Sequence, residues 1–258
     1  MNEPLLSIIL PTYKEAENIA QAIARINVVM GNTPHEIIVA DDDSPDLTWQ
    51  KAQAEAVRFP QVKVLRRTTN RGLYPAVLDG FASATGKYLA VMDADLQHDE
   101  RLLPRMLEKA QAGAQMVIAS RYTRGGGVAG WNAARLLLSR AGNKFAGLLL
   151  RRGSTDLMSG FFLIETAAYE KTKPLLRPKG FKILMDLLQN LPQGASVAEL
   201  SYVFKPRSAG ESKLNLKIAW QAAMGLYELS IGRYLPFQIL VLLLTAAIFC
   251  GIVLLASH

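Results

Sequence analysis

Short apolar runs alternate with helical stretches over the first 120 residues, and this alternation limits the possible folds more than any other feature of the chain. Leu5–Leu10, Glu36–Ala40, Val62–Leu65, Tyr88–Met92 and Met116–Ala119 are rich in Val, Ile and Leu and read as strands buried on both faces. Between them, Glu15–Met30, Thr48–Phe59, Tyr74–Ala84 and Arg101–Ala112 carry helical patterns. A βαβα order predicts a mostly parallel sheet with helices on both faces. In such sheets ligands sit beyond the carboxyl ends of the strands, so the residues there are the first candidates for chemistry.

Three polar clusters occupy those ends: Pro11-Thr12-Tyr13-Lys14-Glu15, Asp41-Asp42-Asp43-Ser44-Pro45-Asp46 and Asp93-Ala94-Asp95-Leu96-Gln97-His98. Each taken alone reads equally as a turn or a helix cap, because Asp and Ser bond to local backbone N–H groups. Three carboxylate-bearing ends on one edge argue for a site. In the third cluster two carboxylates stand two residues apart where a strand stops, and they can converge on one divalent cation. Their hard oxygen atoms suit Mg²⁺ or Mn²⁺. His98 is left between two readings, a supporting group behind that set or a helix cap.

The formal charge of +7 favours anionic partners, either phosphorylated small molecules or an acidic membrane surface. Nucleic acid ranks lowest, since no basic tail, zinc-finger spacing or helix-turn-helix pattern is present. The single cysteine, Cys250, excludes an internal disulfide framework and a cysteine-rich metal site. The apolar run Leu5–Leu10, preceded by Glu3, is too short and too acidic at its start for a signal peptide.

The second half of the chain has another texture. Gly125-Gly126-Gly127 reads as a flexible stretch. The following segment, 131–152, mixes leucines with Arg135, Arg140, Lys144, Arg151 and Arg152 and has no acid, the pattern of a helix lying in a membrane interface or of an ordinary packed helix. Residues 213–234 suggest a second amphipathic helix. From Leu235 to Ala256 about 22 residues carry no charge, which is long enough for a helix to cross a bilayer core of roughly 30 Å. Lys217 and Arg233 precede that run, and this places the large domain on the cytoplasmic side. The expected organisation is a catalytic domain over 1–212, an interface helix over 213–234 and a transmembrane helix over 235–256.

No glycine-rich phosphate loop follows the first strand, so a metal and side chains must hold any phosphate. At this point a resemblance becomes specific. Ile8-Ile9-Leu10-Pro11-Thr12-Tyr13-Lys14-Glu15, Met92 to His98, Ser120-Arg121-Tyr122, Ser159-Gly160-Phe161-Phe162, Gly180 to Met185 and Gly210-Glu211-Ser212-Lys213-Leu214 resemble, in this order, the polyprenyl-phosphate mannosyltransferases of the dolichol-phosphate mannose synthase type. These are inverting glycosyltransferases of the GT-A fold, a Rossmann-like α/β arrangement. The resemblance implies Pro11, Tyr13 and Glu15 as a wall for the donor nucleotide, with Ala40 and Asp42 against its base or ribose. It implies Asp93, Asp95 and Gln97 as the metal shell, and Ala94 and Leu96 as backbone lining of the donor site. Arg121, Arg135 and Ser139 would hold the acceptor phosphate, and Lys182, Arg207 and Lys213 would close over the donor. Asp95, Arg121 and Arg135 are the residues it implies for catalysis.

Each of these cations also reads as a solvated or snorkelling side chain. Asp156 reads as the brace of a turn, and Asp186 stays open between roles. The chain departs from the resemblance at Asp43, at Leu47 and at Tyr74-Pro75, and this bears on nucleotide or sugar selectivity. The expected reaction is transfer of mannose from GDP-mannose to a polyprenyl (dolichyl) monophosphate with a Mg²⁺ or Mn²⁺ cofactor. The alternatives are glucose from UDP-glucose and a non-catalytic membrane adaptor.

Overall fold

The computed structural model describes residues 3–130, residues 136, 139, 143, 144 and 147, and residues 154–177 and 183–205. These lie within one compact unit, Met1–Ser212. The expected helices over 213–234 and 235–256 lie outside the described residues, as does most of 131–152. Among the described residues no helix is long and apolar enough to cross a membrane.

The chain runs β1 (Leu6–Thr12), α1 (Ile19–Met30), β2 (His35–Asp41), α2 (Thr48–Arg58), β3 (Val62–Arg66), α3 (Leu73–Ser83), β4 (Tyr88–Val91), α4 (Leu102–Gln111) and β5 (Met116–Ser120). Then come β6 (Gly127–Val128), β7 (Phe162–Glu165), α5 (Thr166–Thr172), a 3₁₀ turn (Lys173–Leu175), α6 (Ile183–Asn190), β8 (Val197–Ser201) and β9 (Val203–Phe204). All five expected strands and all four expected helices of the first 120 residues form. The first helix starts later than its pattern suggested. Glu15 instead closes a turn, its carbonyl accepting from the N–H groups of Asn18 and Ile19.

The seven-stranded sheet has the order β3-β2-β1-β4-β7-β5-β8. Pairing is parallel except along β7, which runs antiparallel to both β4 and β5. Strand β1 is buried along its whole length because helices cover both faces, which is why its sequence lacks alternation. Each helix buries one stripe: in α4 these are Leu102, Leu103, Met106, Leu107 and Ala110, spaced three and four apart. Helix α3 packs directly on β1 at Gly80, where an added Cβ would lie 2.5 Å from Ile9 Cγ2.

The stretch expected to be flexible at 125–127 is an ordered turn. The Gly126 N–H reaches Thr123 O at 2.8 Å, and a Cβ on Gly126 would meet the Arg121 carbonyl at 2.9 Å. Gly127 then pairs with β9. Gly126 serves close approach there, and Gly125 supplies a positive φ of 88°.

The strand order reverses between β1 and β4, so a crevice opens beyond their carboxyl ends. Backbone strain gathers on that same edge. Among the described residues the non-glycine positions with positive φ are Lys14, Asp43, Leu47, Asn70 and Leu96. They follow β1, β2, β3 and β4, and nowhere else does a non-glycine residue of the described chain adopt this conformation.

Candidate active site

The ends of β1 and β2 are tied together by Asp41, which the sequence did not single out from its cluster. Its carboxylate accepts from Thr12 Oγ1 at 2.8 Å, Ser44 N at 2.8 Å and Ser44 Oγ at 2.7 Å. Ser44 Oγ accepts in turn from the Lys14 backbone at 3.0 Å, and Thr48 Oγ1 from the Glu15 backbone at 2.9 Å. This lattice fixes the expected donor wall. Pro11 and Ala40 are register partners on neighbouring strands, and Tyr13 stands 40% exposed at the mouth. Glu15 is buried and accepts from Asn18 Nδ2 at 2.9 Å.

Asp42 is gripped by the loop after β3. Its carboxylate meets Arg67 and accepts the Gly72 N–H at 2.7 Å. Burial holds the Asp42 carboxyl above its usual range against the opposing pull of Gly72 and Arg67, and neighbouring Asp41 adds to the rise. Arg67 is a hub that sequence reading missed. It also donates to Asp79 at 2.7 Å and to the Asn70 carbonyl at 2.7 Å, while only 6% exposed. The departure at Asp43 also has a structural use, since its two oxygens take Arg66 at 2.7 Å and Arg71 at 2.6 Å, and Arg66 lies 4.1 Å over the Trp49 ring.

Asp93 leaves the end of β4 with its side chain 40% exposed. It lines a cavity of about 140 Å³ with Leu73, Val77, Val91, Phe162 and Leu184. Asp95 is 4% exposed and is not in that lining, and its Oδ1 accepts the Gln97 N–H at 3.2 Å. Leu96, at φ 63°, makes the reversal between Asp95 and Gln97, a conformation that costs a residue with a Cβ about 1 kcal/mol. Gln97 is bracketed by Lys205: its carbonyl accepts the Lys205 N–H at 3.0 Å and its Nε2 donates to the Lys205 carbonyl at 2.9 Å.

The residues present fit a divalent cation of the Mg²⁺ class. Because Gln97 Nε2 is used by a carbonyl, its amide offers a hard oxygen. Gly160 clears room around Asp93, since an added Cβ would sit 2.8 Å from Asp93 Oδ2. Among the described residues no group of three or more Asp, Glu, His or Cys forms a complete cage. Mg²⁺ typically needs none, being held by one or two carboxylates together with substrate phosphates and water.

His98, left open by the sequence, points inward and caps no helix. Its ring lies among Phe161, Tyr202 and Phe204, with Nδ1 2.9 Å from Tyr202 Oη and Nε2 3.3 Å from Asp93 Oδ2. Burial, foremost, pushes the Tyr202 phenol above its ordinary value.

Of the three expected acceptor-phosphate residues, Arg121 and Ser139 are described, and Ser139 is joined to the neighbour of Arg121. Arg121 follows β5 and makes a two-pronged pair with Asp156, Nε to Oδ2 and Nη2 to Oδ1, each at 2.7 Å. Asp156 is fully buried. Burial alone would lower the basicity of Arg121, but the Asp156 carboxylate outweighs it and holds the guanidinium above its usual range. Next to it, Tyr122 Oη lies 2.7 Å from Ser139 Oγ. Ser139 is helical, as are Leu136, Asn143, Lys144 and Gly147. The Leu157 N–H donates to Asn143 Oδ1 at 3.0 Å, so Ser139 and Asn143 are each tied to a described loop. Arg135, Lys182, Arg207 and Lys213 lie outside the described residues.

The departure at Tyr74 and the open role of Asp186 resolve together. The Tyr74 hydroxyl donates to Asp186 Oδ2 at 2.5 Å, and Asp186 also accepts the Arg177 N–H at 2.7 Å and Asn190 Nδ2 at 2.9 Å. Burial first, and Asp186 second, push the Tyr74 phenol up. The pair joins α3 to α6, whose first residues, Ile183 and Leu184, wall the cavity.

The Glycosyl transferase family 2 profile matches residues 7–172. A dolichol-phosphate mannosyltransferase of Pyrococcus furiosus is 39% identical over 91% of this chain and 67% of its own length. The protein of the same name from Saccharomyces cerevisiae is 34% identical, covering 88% of each. A polyprenol monophosphomannose synthase of Mycolicibacterium smegmatis is 35% identical over 81% of this chain and 80% of that protein. Among solved structures, glucosyl-3-phosphoglycerate synthase of Mycobacterium tuberculosis, in complex with Mn²⁺, UDP-glucose and phosphoglyceric acid, superposes with a TM-score of 0.65 at 16% identity over 88% of this chain and 80% of that one. Mannosyl-3-phosphoglycerate synthase of Rubrobacter xylanophilus gives 0.62 at 17% identity over 87% and 73%. These two likenesses support a GT-A-like fold. By its family match and by relatives that are dolichol-phosphate mannosyltransferases, this chain belongs to glycosyl transferase family 2 and is a glycosyltransferase.

Proposed function

We propose that this enzyme moves mannose from GDP-mannose onto the phosphate of a polyprenyl lipid, with inversion, at the cytoplasmic face of a membrane. The observation that carries the reading is the Asp93–Gln97 turn at the point where strand order reverses, with Asp93 open to a cavity. The names of its relatives support the sugar and the class of acceptor.

One oxygen of the acceptor phosphate attacks the anomeric carbon. A carbon–oxygen bond forms on the face opposite the leaving group, the bond from that carbon to the diphosphate oxygen breaks, and the nucleoside diphosphate departs with the electron pair. A phosphate monoester has its second pKa near ~6, so the nucleophile is already ionised at neutral pH and needs no strong base. Asp93, Asp95 and Gln97 would hold Mg²⁺ or Mn²⁺, which supplies neutralisation of charge building on the diphosphate. Pro11, Tyr13, Glu15, Ala40 and Asp42 form the donor wall. The cavity of about 140 Å³ beside Asp93 adjoins the proposed metal set. Ser139 and Arg135, on one segment, present donors to the acceptor phosphate, and Arg121, whose Nε and Nη2 are taken by Asp156, adds its positive charge beside them. Lys182, Arg207 and Lys213 add positive charge over the donor, and the segments 213–234 and 235–256 keep the enzyme at the lipid surface.

The test uses the full chain in detergent with a polyprenyl phosphate and radiolabelled GDP-mannose or UDP-glucose, with and without EDTA. Organic-extractable label is expected from GDP-mannose, and EDTA should abolish it. Label from UDP-glucose alone would reassign the donor, and no lipid product from either donor would sink the proposal.

A further inference from the structure

We propose that His98 is a positioning residue: it holds one oxygen of Asp93 so that the other is presented to the divalent cation. The inference rests on the metal reading of Asp93, Asp95 and Gln97 given above.

The imidazole of His98 has almost no contact with solvent, its side chain being 2% exposed. Around it stand Phe161 at 5.3 Å, Tyr202 at 5.8 Å and Phe204 at 5.4 Å between ring centroids. A polar ring in such a box needs hydrogen-bond partners, and each nitrogen has one: Tyr202 Oη at 2.9 Å and Asp93 Oδ2 at 3.3 Å. An ionised carboxylate only accepts, so the hydrogen lies on Nε2 and points to Asp93. Nδ1 is then the acceptor, and the Tyr202 hydroxyl donates to it. Tyr202 thereby sets the tautomer in which His98 can hold Asp93.

The missing side chain at Gly160 is what permits this contact: an added Cβ would lie 2.8 Å from Asp93 Oδ2 and 3.5 Å from His98 Nε2. Oδ2 is thus held by the imidazole, which leaves Oδ1 for a ligand. The same short stretch that supplies Tyr202 also supplies Lys205, whose carbonyl holds Gln97 Nε2 at 2.9 Å. Residues 202–205 therefore orient two of the three members of the proposed metal set, one through His98 and one directly. Partners of this kind fix the geometry of ligating carboxylates and commonly change metal affinity when removed.

The competing explanation is that His98 only fills the aromatic box. His98→Phe keeps the filling and removes the donor. His98→Gln keeps a donor of similar reach and gives up part of the packing. The full chain in detergent is titrated with Mn²⁺ in the presence of GDP, free Mn²⁺ being read by electron paramagnetic resonance, and thermal unfolding is measured alongside. His98→Phe should weaken Mn²⁺ binding by about 10-fold or more, with His98→Gln within roughly threefold of the parent and Tyr202→Phe near the lower end of that 10-fold range. Unchanged Mn²⁺ affinity in His98→Phe overturns the proposal, and so does an affinity that follows unfolding temperature rather than the presence of a donor. Should one variant fail to fold, the other two still decide. Asp95→Ala is the control for the premise: if the parent binds no Mn²⁺, or Asp95→Ala binds it as well as the parent, it is the metal reading that fails.

Discussion

Two carboxylates at opposite edges of the main sheet, Glu36 and Asp93, have contrasting surroundings. At the amino edge Glu36 is 4% exposed and accepts from Ser7 Oγ at 2.6 Å, Thr85 N at 2.7 Å and Thr85 Oγ1 at 3.0 Å, with Lys63 Nζ 2.7 Å away. At the carboxyl edge Asp93 is half open to a cavity, and the backbone around it is strained at Leu96. Glu36 is used up in holding strands together, whereas the carboxyl edge has both kinds of carboxylate, Asp41 tying β1 to β2 and Asp93 facing the cavity. The difference teaches that polar residues at strand ends acquire their meaning from the partners they meet.

The comparison is broken most severely at Arg121. It lies on the carboxyl edge yet pairs with a fully buried partner, and Arg121→Ala strands the charge of Asp156, a loss expected at about 3–5 kcal/mol in denaturant unfolding. Asp95→Ala should do the reverse, cutting transfer roughly 1000-fold, about 4 kcal/mol in activation free energy, while the unfolding midpoint stays near that of the parent. Full turnover by that variant would remove Asp95 from the metal set. Glu36→Ala should cost on the order of 2 kcal/mol of stability, because it removes the acceptor of fully buried Ser7 Oγ and of the Thr85 N–H, and leave the turnover number unchanged.

A pH series sharpens the contrast. Burial by itself raises the Glu36 carboxyl, but Lys63, Ser7 and Thr85 together leave it below its usual value. Its stabilisation is complete above the unfolded value of about 4.3 and is lost as pH falls through the depressed folded value. Glu36→Gln should therefore show a flatter acid limb of stability against pH. The smallest effect is expected at Lys14, an exposed residue at φ 58°. Lys14→Gly should shift stability in denaturant unfolding by less than about 1 kcal/mol, since relief of strain is offset by unfolded-state entropy.

The strands β1, β2, β4 and β5 were legible because burial on both faces leaves an uninterrupted apolar run such as Ile8-Ile9-Leu10. The position of the site was legible for the same reason, as strand ends follow from strands. Strand β3 was found by its short Val62–Leu65 run, but the expectation of burial on both faces fails there, because it is an edge strand that exposes Lys63 and Arg66. Strand β7 was not: four residues running straight into a helix give no period to read. Side-chain partnerships were illegible for another reason. Arg121 and Asp156 are 35 residues apart, and Gln97 and Lys205 are 108 apart, distances at which only the folded chain decides who meets whom. Arg67 was missed because an arginine after an edge strand looks like ordinary surface charge until Asp42, Asp79 and the Asn70 carbonyl are seen to converge on it.

The reversal of β7 has a wider effect than its length suggests. A parallel strand enters its sheet at the amino edge and delivers only its outgoing loop to the opposite side. Because β7 runs the other way, it is its incoming loop, carrying Asp156, Ser159 and Gly160, that arrives beside Asp93 and Arg121. The approach to the reaction centre is consequently shaped by a segment whose length can change without altering any crossover of the parallel framework. Under the proposed function, that entrance is the place to edit when acceptor range is to be changed and the donor wall on β1 and β2 kept.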